Sequence, residues 1–512
     1  MIRNNSIAGS LIAVLALAAT SALAESDLAD LIQTDRRVAA LELIDEGYDV
    51  NARQPDGTTP LHWAAYKLDL ALVQLLLESG AEVDVTNDYG ATPLAEAVKA
   101  VNEPLVRALL AAGADPDSPN ADGQTALMLS ADIGAFEIAR LLVVHGADVN
   151  AREFWRDQTA LMWAIDGRFA DLAAFLIEQG ADVTQRAAST DWDSQITSEP
   201  RAQYRPSGGL TPLLLAARSA CVPCAEAVLN AGADINQPTL EGVTPLMLAL
   251  DNMNFEVADL LLDQGANPHY SDWWGRTALY IAVDVNSGMG GVQRSQVTSM
   301  DLIGRLLAAG VEVNQQLNFH RPGRTGGINS ARFGDDLLTT GASPLLRASI
   351  THDHAAMRVL LEHGALVDLP NVMGVTPLMA AASLGVRYHP QIFSRTPDFE
   401  NDPELEDKVI ESMTILLEAG ADINAEVTDV SSRSARIARP SQMTDRAGQT
   451  ALFRAASRGW EDRGWTRVVA FMLDNGADPE HVDQLGRRPV DAAMGRLVSG
   501  APIYEDVAAL LQ

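Results

Sequence analysis

The sequence predicts an all-α solenoid, a stack of helix-turn-helix pairs joined by hairpin fingers, with loop insertions in its C-terminal half. Three observations carry that expectation. The chain repeats with a period of 33, two anchors recur within each period, and every break in the spacing falls after residue 180. The first anchor is Gly-x-Thr-Pro/Ala-Leu, beginning at Gly57, Gly90, Gly123, Gly209, Gly242, Gly275, Gly374 and Gly448, with variants beginning at Asp157 and Gly341. The second is Leu-Leu-x-x-Gly-Ala-Asp and its variants, around Gly113, Gly146, Gly180, Gly232 and Gly420. Ten complete copies are present. At 512 residues the chain exceeds what one hydrophobic core organises, which also favours a quasi-linear stack.

Each element of a copy has a physical reason. Thr59 suits an N-cap, where its hydroxyl accepts from an orphan amide of the first turn, and Pro60 at N1 needs no amide donor. A short helix follows, with Leu61, Ala64 and Ala65 facing inward. Residues 72–78 carry an apolar stripe at helical spacing, and Gly80 stops that helix in the left-handed conformation. Val83 and the Asn87-Asp88-Tyr89-Gly90 segment read as an extended stretch with a tight turn. No single copy can bury its own apolar faces, so stacking makes the core.

This pattern resembles the ankyrin repeat over nearly all of residues 26–512. Asp56-Gly-Thr-Thr-Pro-Leu-His-Trp-Ala-Ala65 is the copy most similar to the family consensus. The family's His after Thr-Pro-Leu survives only as His62. The resemblance implies an N-terminal capping half-repeat at 25–55, repeats 1–4 at 56–185, an insertion at 186–207, repeats 5–10 with insertions at 208–484, and a C-terminal capping repeat at 485–512. It also implies a partner surface at the fingertips and just after the inner helices. In this chain those places hold Tyr66, Tyr89, Trp155, Arg156, Trp273 and Trp274. Trp, Tyr and Arg dominate interface energetics, although a Trp can instead pack against a neighbouring finger.

Spacing locates the enlargements. The step from anchor Thr to closing Gly is 21 in seven copies, but 33 from Thr277 to Gly310, 44 from Thr376 to Gly420 and 26 from Thr450 to Gly476. The step from closing Gly to the next anchor is normally 12, but 31 from Gly180, 33 from Gly310 and 30 from Gly420. Such insertions lie on a binding face or are tolerated loop drift. Over residues 186–207, 315–341 and 426–445 there are nine Arg and no Lys against eight acids, in a chain whose formal net charge is −31. Arg321, Arg324 and Arg332 lead the candidates for an anion-receiving pocket; the alternative is that these arginines neutralise the acidic stack.

The N-terminus reads as a signal peptide over residues 1–24. Arg3 precedes an uncharged apolar run at residues 7–19, and Ala22-Leu23-Ala24 fits a cleavage site ahead of Glu25. That run is well short of the ~20 residues a membrane span needs. The expectation is therefore an exported, periplasmic or secreted chain without a membrane span. The charge argues against nucleic acid as a partner, because such binding rests on Lys and Arg displacing counterions.

Catalytic motifs are absent: the chain holds no Gly-x-Ser-x-Gly, no His-Glu-x-x-His and no P-loop. Cys221-Val-Pro-Cys224 is the only cysteine pair. In an oxidising compartment it reads as a local disulfide or a packed pair, with redox or metal use as the alternatives. His352, His354 and His363 stand at a helix-to-helix turn, where solvent-facing polar residues are expected rather than a metal. Gly288-Met-Gly-Gly291 reads as a flexible turn within an insertion. The function expected is a monomeric, non-catalytic, cofactor-free scaffold that binds another protein. The alternative is an accessory protein that captures a small anionic ligand or assists a periplasmic enzyme.

Overall fold

A computed structural model describes residues 27–191, 206–289, 296–318, 341–372, 374–382, 404–428, 447–460, 463–497 and 503–512. The backbone divides into two units, Met1–Ser189 with Gly208–Asp234, and Thr190–Ser207 with Ile235–Gln512.

The first unit is a row of helix pairs: α1 (Leu28–Gln33) and α2 (Arg37–Asp45), α3 (Pro60–Tyr66) and α4 (Leu70–Glu78), α5 (Pro93–Lys99) and α6 (Glu103–Ala111), α7 (Ala126–Asp132) and α8 (Phe136–Val144), then α9 (Ala160–Asp166) and α10 (Ala170–Glu178). Two short strands, β1 (Ser189–Asp191) and β2 (Pro206–Gly208), form a ribbon ahead of α11 (Pro212–Ser219) and α12 (Val222–Asn230). The N-terminal segment thus supplies a helix pair, α1 with α2, ahead of the first finger.

The second unit begins with α13 (Pro245–Asp251) and α14 (Phe255–Asp263), α15 (Ala278–Met289) and α16 (Ser299–Ala308), α17 (Pro344–Ile350) and α18 (His354–Glu362). It continues with α19 (Pro377–Ala381) and α20 (Leu405–Glu418), α21 (Ala451–Ala456), the ribbon β3 (Gly459–Trp460) with β4 (Arg463–Gly464), α22 (Thr466–Asp474), α23 (Pro489–Ala493) and α24 (Glu505–Leu510).

The anchors do what their chemistry suggests. Thr59, Thr92, Thr125, Thr159 and Thr211 each N-cap an inner helix, their hydroxyls accepting from the amide three residues on. The pattern recurs at Thr244, Thr277, Ser343 and Thr376. Gly80 closes α4 at φ +90°, with the Ala81 amide returning to Leu76 O at 2.9 Å. Small buried residues such as Ala64, Ala97, Ala131 and Ala164 let neighbouring inner helices approach, while Leu72, Leu76, Leu105, Leu109 and Leu142 fill the outer layer. Truncating one of those leucines to Ala costs about 2–5 kcal/mol.

A second connection runs between successive copies. Asn51, Asp84, Asp117, Asn150, Asn236, Asn314, Asp368 and Asn424 sit four residues beyond a closing glycine. Each accepts from a backbone amide of the next copy at 2.8–3.0 Å. Four of the asparagines also donate their amide to the next closing glycine's carbonyl: Asn51 to Gly80 O (3.0 Å), and likewise Asn150, Asn314 and Asn424. A third shared feature is the turn from inner to outer helix. There Leu68, Val101, Gly134, Arg168, Ala220, Met253 and His352 all lie in the left-handed region, at φ of 52–69°.

The insertions are partly helical. α15 has 12 residues against 7 in α13, and α20 has 14 against 9 in α18. The Gly288 segment, expected as a flexible turn, continues α15 as far as Met289, with residues 290–295 outside those described. The last turn of α15 is held by Asp353, whose Oδ2 accepts from Asn286 Nδ2 at 2.6 Å and Ser287 Oγ at 3.0 Å. Asp353 also caps α18 through the Ala356 amide. One carboxylate therefore fixes both the lengthened helix and the start of the next outer helix.

Candidate partner-binding surface

Fingertips are shaped by a side chain five or six residues before the anchor Thr. Asn87 accepts from the amides of Tyr89 (3.1 Å) and Ala91 (2.9 Å), and Asn120 from those of Asp122 and Gln124. In the fourth copy the buried Glu153 has this task. Its carboxylate accepts from the amides of Trp155 (2.7 Å), Arg156 (2.7 Å) and Gln158 (3.2 Å). Asp157, at φ +58°, stands where other copies carry Gly. Glu153 thus holds the turn that presents Trp155 and Arg156, and sequence reasoning missed it. The signal was available, since an Asx or Glu recurs at this register in most fingers.

In the first unit the sequence-derived candidates are on the surface. Tyr66 is 61% exposed, Tyr89 72% and Trp155 76%, and Arg156 is exposed as well. Tyr66 meets Trp63 edge-on with centroids 5.7 Å apart, and Trp63 Nε1 donates to Gln54 of its own finger at 2.8 Å. Trp155 Nε1 donates to Asp122 of the preceding finger at 3.1 Å. His62 stitches the base of the first finger: Thr59 N donates to its Nδ1 at 3.2 Å, so Nε2 carries the proton and donates to Ala91 O at 2.9 Å. Burial pushes that imidazole below its ordinary value.

The second unit divides the candidates. Trp273 is half exposed. Trp274 is 4% exposed, although it has the same register as Tyr89, three residues before the anchor Thr. Its ring carries the guanidinium of Arg276 at 5.2 Å, and Asp272 accepts from Arg276 Nε at 2.7 Å and from the Trp274 amide at 3.0 Å. Trp274 is thus covered on one ring face by Arg276, at the position where the Tyr89 finger has Ala91. Arg321, Arg324 and Arg332 lie outside the described residues.

His363 is exposed, as expected, but His352 and His354 are placed otherwise. His352 is buried, with Nδ1 2.9 Å from Ser412 Oγ. His354 approaches the same hydroxyl at 3.0 Å and the Lys408 carbonyl at 3.0 Å through Nε2, and Glu411 at 3.1 Å through Nδ1. They face α20 rather than solvent because that helix is lengthened across them. Nearby, Arg347 Nε donates to Asp284 at 2.6 Å, both side chains being buried. Sequence reasoning missed this polar cluster, whose members come from copies more than 50 residues apart.

Cys221 and Cys224 are joined as a disulfide with Cα atoms 5.2 Å apart. Cys221 N-caps α12, its sulfur accepting from the Cys224 amide at 3.3 Å, in the place that Asp69 and Asn102 fill in earlier copies. Among the described residues no group of three or more His, Cys, Asp or Glu is arranged to hold a metal, and no helix is long and apolar enough to cross a membrane.

A family model described as ankyrin repeats, in three copies, matches residues 33–120, 96–187 and 213–289. Among solved structures, the crystal structure of the human ASB11 ankyrin repeat domain is 24% identical. It covers 48% of this chain and 100% of its own, at a TM-score of 0.38. A search of curated proteins finds no match. The recurring Thr-Pro-Leu caps, the paired helices with their finger turns, and the family match agree, and the chain carries ankyrin repeats over residues 33–187 and 213–289.

Proposed function

We propose that this chain is an exported, non-catalytic scaffold that holds a partner protein against its inner helices and fingertips. Ankyrin repeats are in general protein-interaction modules. The observation that supports the placement is the set of exposed aromatics: Tyr66 at the end of an inner helix, and Tyr89, Trp155 and Trp273 on turns fixed by buried or half-buried capping side chains. Large aromatics on a pre-organised backbone lose little entropy on binding and so contribute strongly to affinity. Arg156 lies on the same fingertip as Trp155. Arg321, Arg324 and Arg332 are proposed as further contacts for an acidic group, on the strength of the Arg-only composition of the insertions.

The test is a photo-crosslinking residue placed in turn at Tyr89, Trp155 and Val144, in cells of the native organism. Val144 is exposed at the end of an outer helix and serves as the control position. Tyr89 and Trp155 are expected to trap one defined protein that Val144 does not. Equal trapping at all three positions overturns the placement. Export is a separate expectation, supported by Arg3, the apolar run and Ala22-Leu23-Ala24. Sequencing the N-terminus of protein from fractionated cells should give Glu25 in the envelope or secreted fraction; intact Met1 in the cytosol would refute it.

A further inference from the structure

Among the described residues there is one complete example of a recognition unit, and there are two incomplete ones. The complete example is the finger at residues 272–276. An aromatic ring, Trp274, carries a guanidinium 5.2 Å from its centroid, and a carboxylate, Asp272, accepts from that guanidinium's Nε at 2.7 Å. The ring supplies its electron-rich face and the carboxylate supplies the countercharge.

The incomplete ones are in the first unit. At one fingertip Trp155 is 76% exposed, and its indole N–H is tied to the Asp122 carboxylate. Ring and carboxylate are therefore held side by side with the ring face open. At another, Tyr89 is exposed beside the exposed Asp88. Among the described residues no cation sits on either ring. The neighbouring surface is short of cations in general. Residues 27–189 hold 27 Asp and Glu against 11 Lys and Arg. Seven of those cations are engaged in ion pairs: Arg37, Arg53, Lys67, Lys99, Arg107, Arg140 and Arg152. Exposed Asp132, at the end of α7, has the same register as Tyr66 two copies earlier and adds further uncompensated charge to the inner-helix side.

We propose that the fingertip surface of the first unit receives an extended, arginine-bearing segment of the partner protein. Its guanidinium groups stack on Trp155 and Tyr89 and pair with Asp122 and Asp88, as Arg276 does with Trp274 and Asp272. This rests on the reading of the fingers as a partner surface and adds the partner's chemistry. Its charge disfavours a phosphate-bearing partner. It selects arginine over lysine by geometry, because a planar guanidinium can stack on a ring and donate sideways to a carboxylate at once.

The test uses the full chain and dye-labelled peptides of equal length bearing spaced Arg, Lys, Glu or Leu in a Gly-Ser background, read by fluorescence anisotropy at low and high salt. The Arg peptide should bind most tightly, the Lys peptide more weakly, and the Glu and Leu peptides not measurably. Trp155→Ala and Tyr89→Ala should each weaken Arg-peptide binding about fivefold, the size of one exposed cation–π contact. Asp122→Asn should weaken it and flatten its salt dependence, and the melting temperature should stay unchanged because these side chains are exposed. Equal binding of Arg and Lys peptides, binding of the Glu or Leu peptide, or indifference to Trp155→Ala and Tyr89→Ala each overturns the inference. So does the absence of any peptide binding. If that absence coincides with specific photo-crosslinking at Tyr89, the partner surface stands and only the arginine chemistry falls. If the crosslinker traps a second copy of this chain alone, the surface is a self-association site and the inference fails.

Discussion

The residues that link successive copies come in two chemical forms, and the difference has a measurable effect. Asn51, Asn150, Asn314 and Asn424 both accept an amide and donate to a glycine carbonyl. Asp117 and Asp368 can only accept. Burial, then the nearby charges of Asp115 and Asp148, holds the Asp117 carboxyl above its ordinary value; burial and Asp422 do the same to Asp368. One oxygen of Asp368 is buried without a hydrogen-bond partner. Replacing either by Asn supplies the missing donor toward Gly146 O or Gly420 O and removes a like-charge contact. We expect Asp117→Asn and Asp368→Asn each to stabilise the fold by about 0.5–1.5 kcal/mol at neutral pH, read from urea melts. The pH dependence comes from the raised carboxyls. A group with a folded value above its unfolded one destabilises at high pH and ceases to do so once protonated. The gain from Asn should therefore shrink as pH falls through the carboxylate range, and a loss of stability at neutral pH would refute the account.

At the scale of elements, what was legible depended on how local the cause is. Thr-Pro caps, closing glycines and finger turns are set by residues within one copy, so periodicity sufficed to place them. The lengthening of α15 and α20 was not legible, because α15 is held by Asp353, a residue more than 60 positions away. Gly288, read alone, signals a turn; with Asn286 and Ser287 bound to Asp353 it ends a helix. Trp274 and Tyr89 make the same point for the candidate site. They share a register but differ in burial, and two positions on, one finger has Arg276, which lies over its ring, where the other has Ala91. Exposed aromatics could be named from the sequence, and so could Glu153 from its register, whereas Asp122, which holds Trp155 from the preceding finger, is recognisable only once the fingers are folded side by side. His352 and His354 were misplaced as solvent-facing because nothing in their own copy reveals α20 lying over them.

For the molecule as a whole, stability is close to a sum of copy and neighbour terms. Each helix pair of the first unit packs on the pair before and after it, so removing copies from an end should lower stability without abolishing structure. A chain ending at Gln179 loses α11 and α12, which cover α9 and α10. Given a polar C-terminal cap on those faces, it should keep helical circular dichroism and melt cooperatively at a lower temperature. Absence of a helical signal would mean that the copies before residue 180 need the later copies in order to fold. The net charge of −31 bears on the same quantity, since self-repulsion of unpaired carboxylates along the stack weakens it at low ionic strength.

The turn between inner and outer helices has an evolutionary consequence. Leu68, Val101, Arg168, Ala220, Met253 and His352 each occupy the left-handed region that glycine enters freely, and only Gly134 meets the requirement without strain. A non-glycine residue there costs about 1 kcal/mol, more when β-branched like Val101. The lineage that carries this chain has therefore left several single-residue routes to a firmer scaffold unused, all at turns apart from the fingertip aromatics. Any of them could compensate a destabilising change at the tips, so the fingers are free to drift toward new partners while a distant turn absorbs the loss.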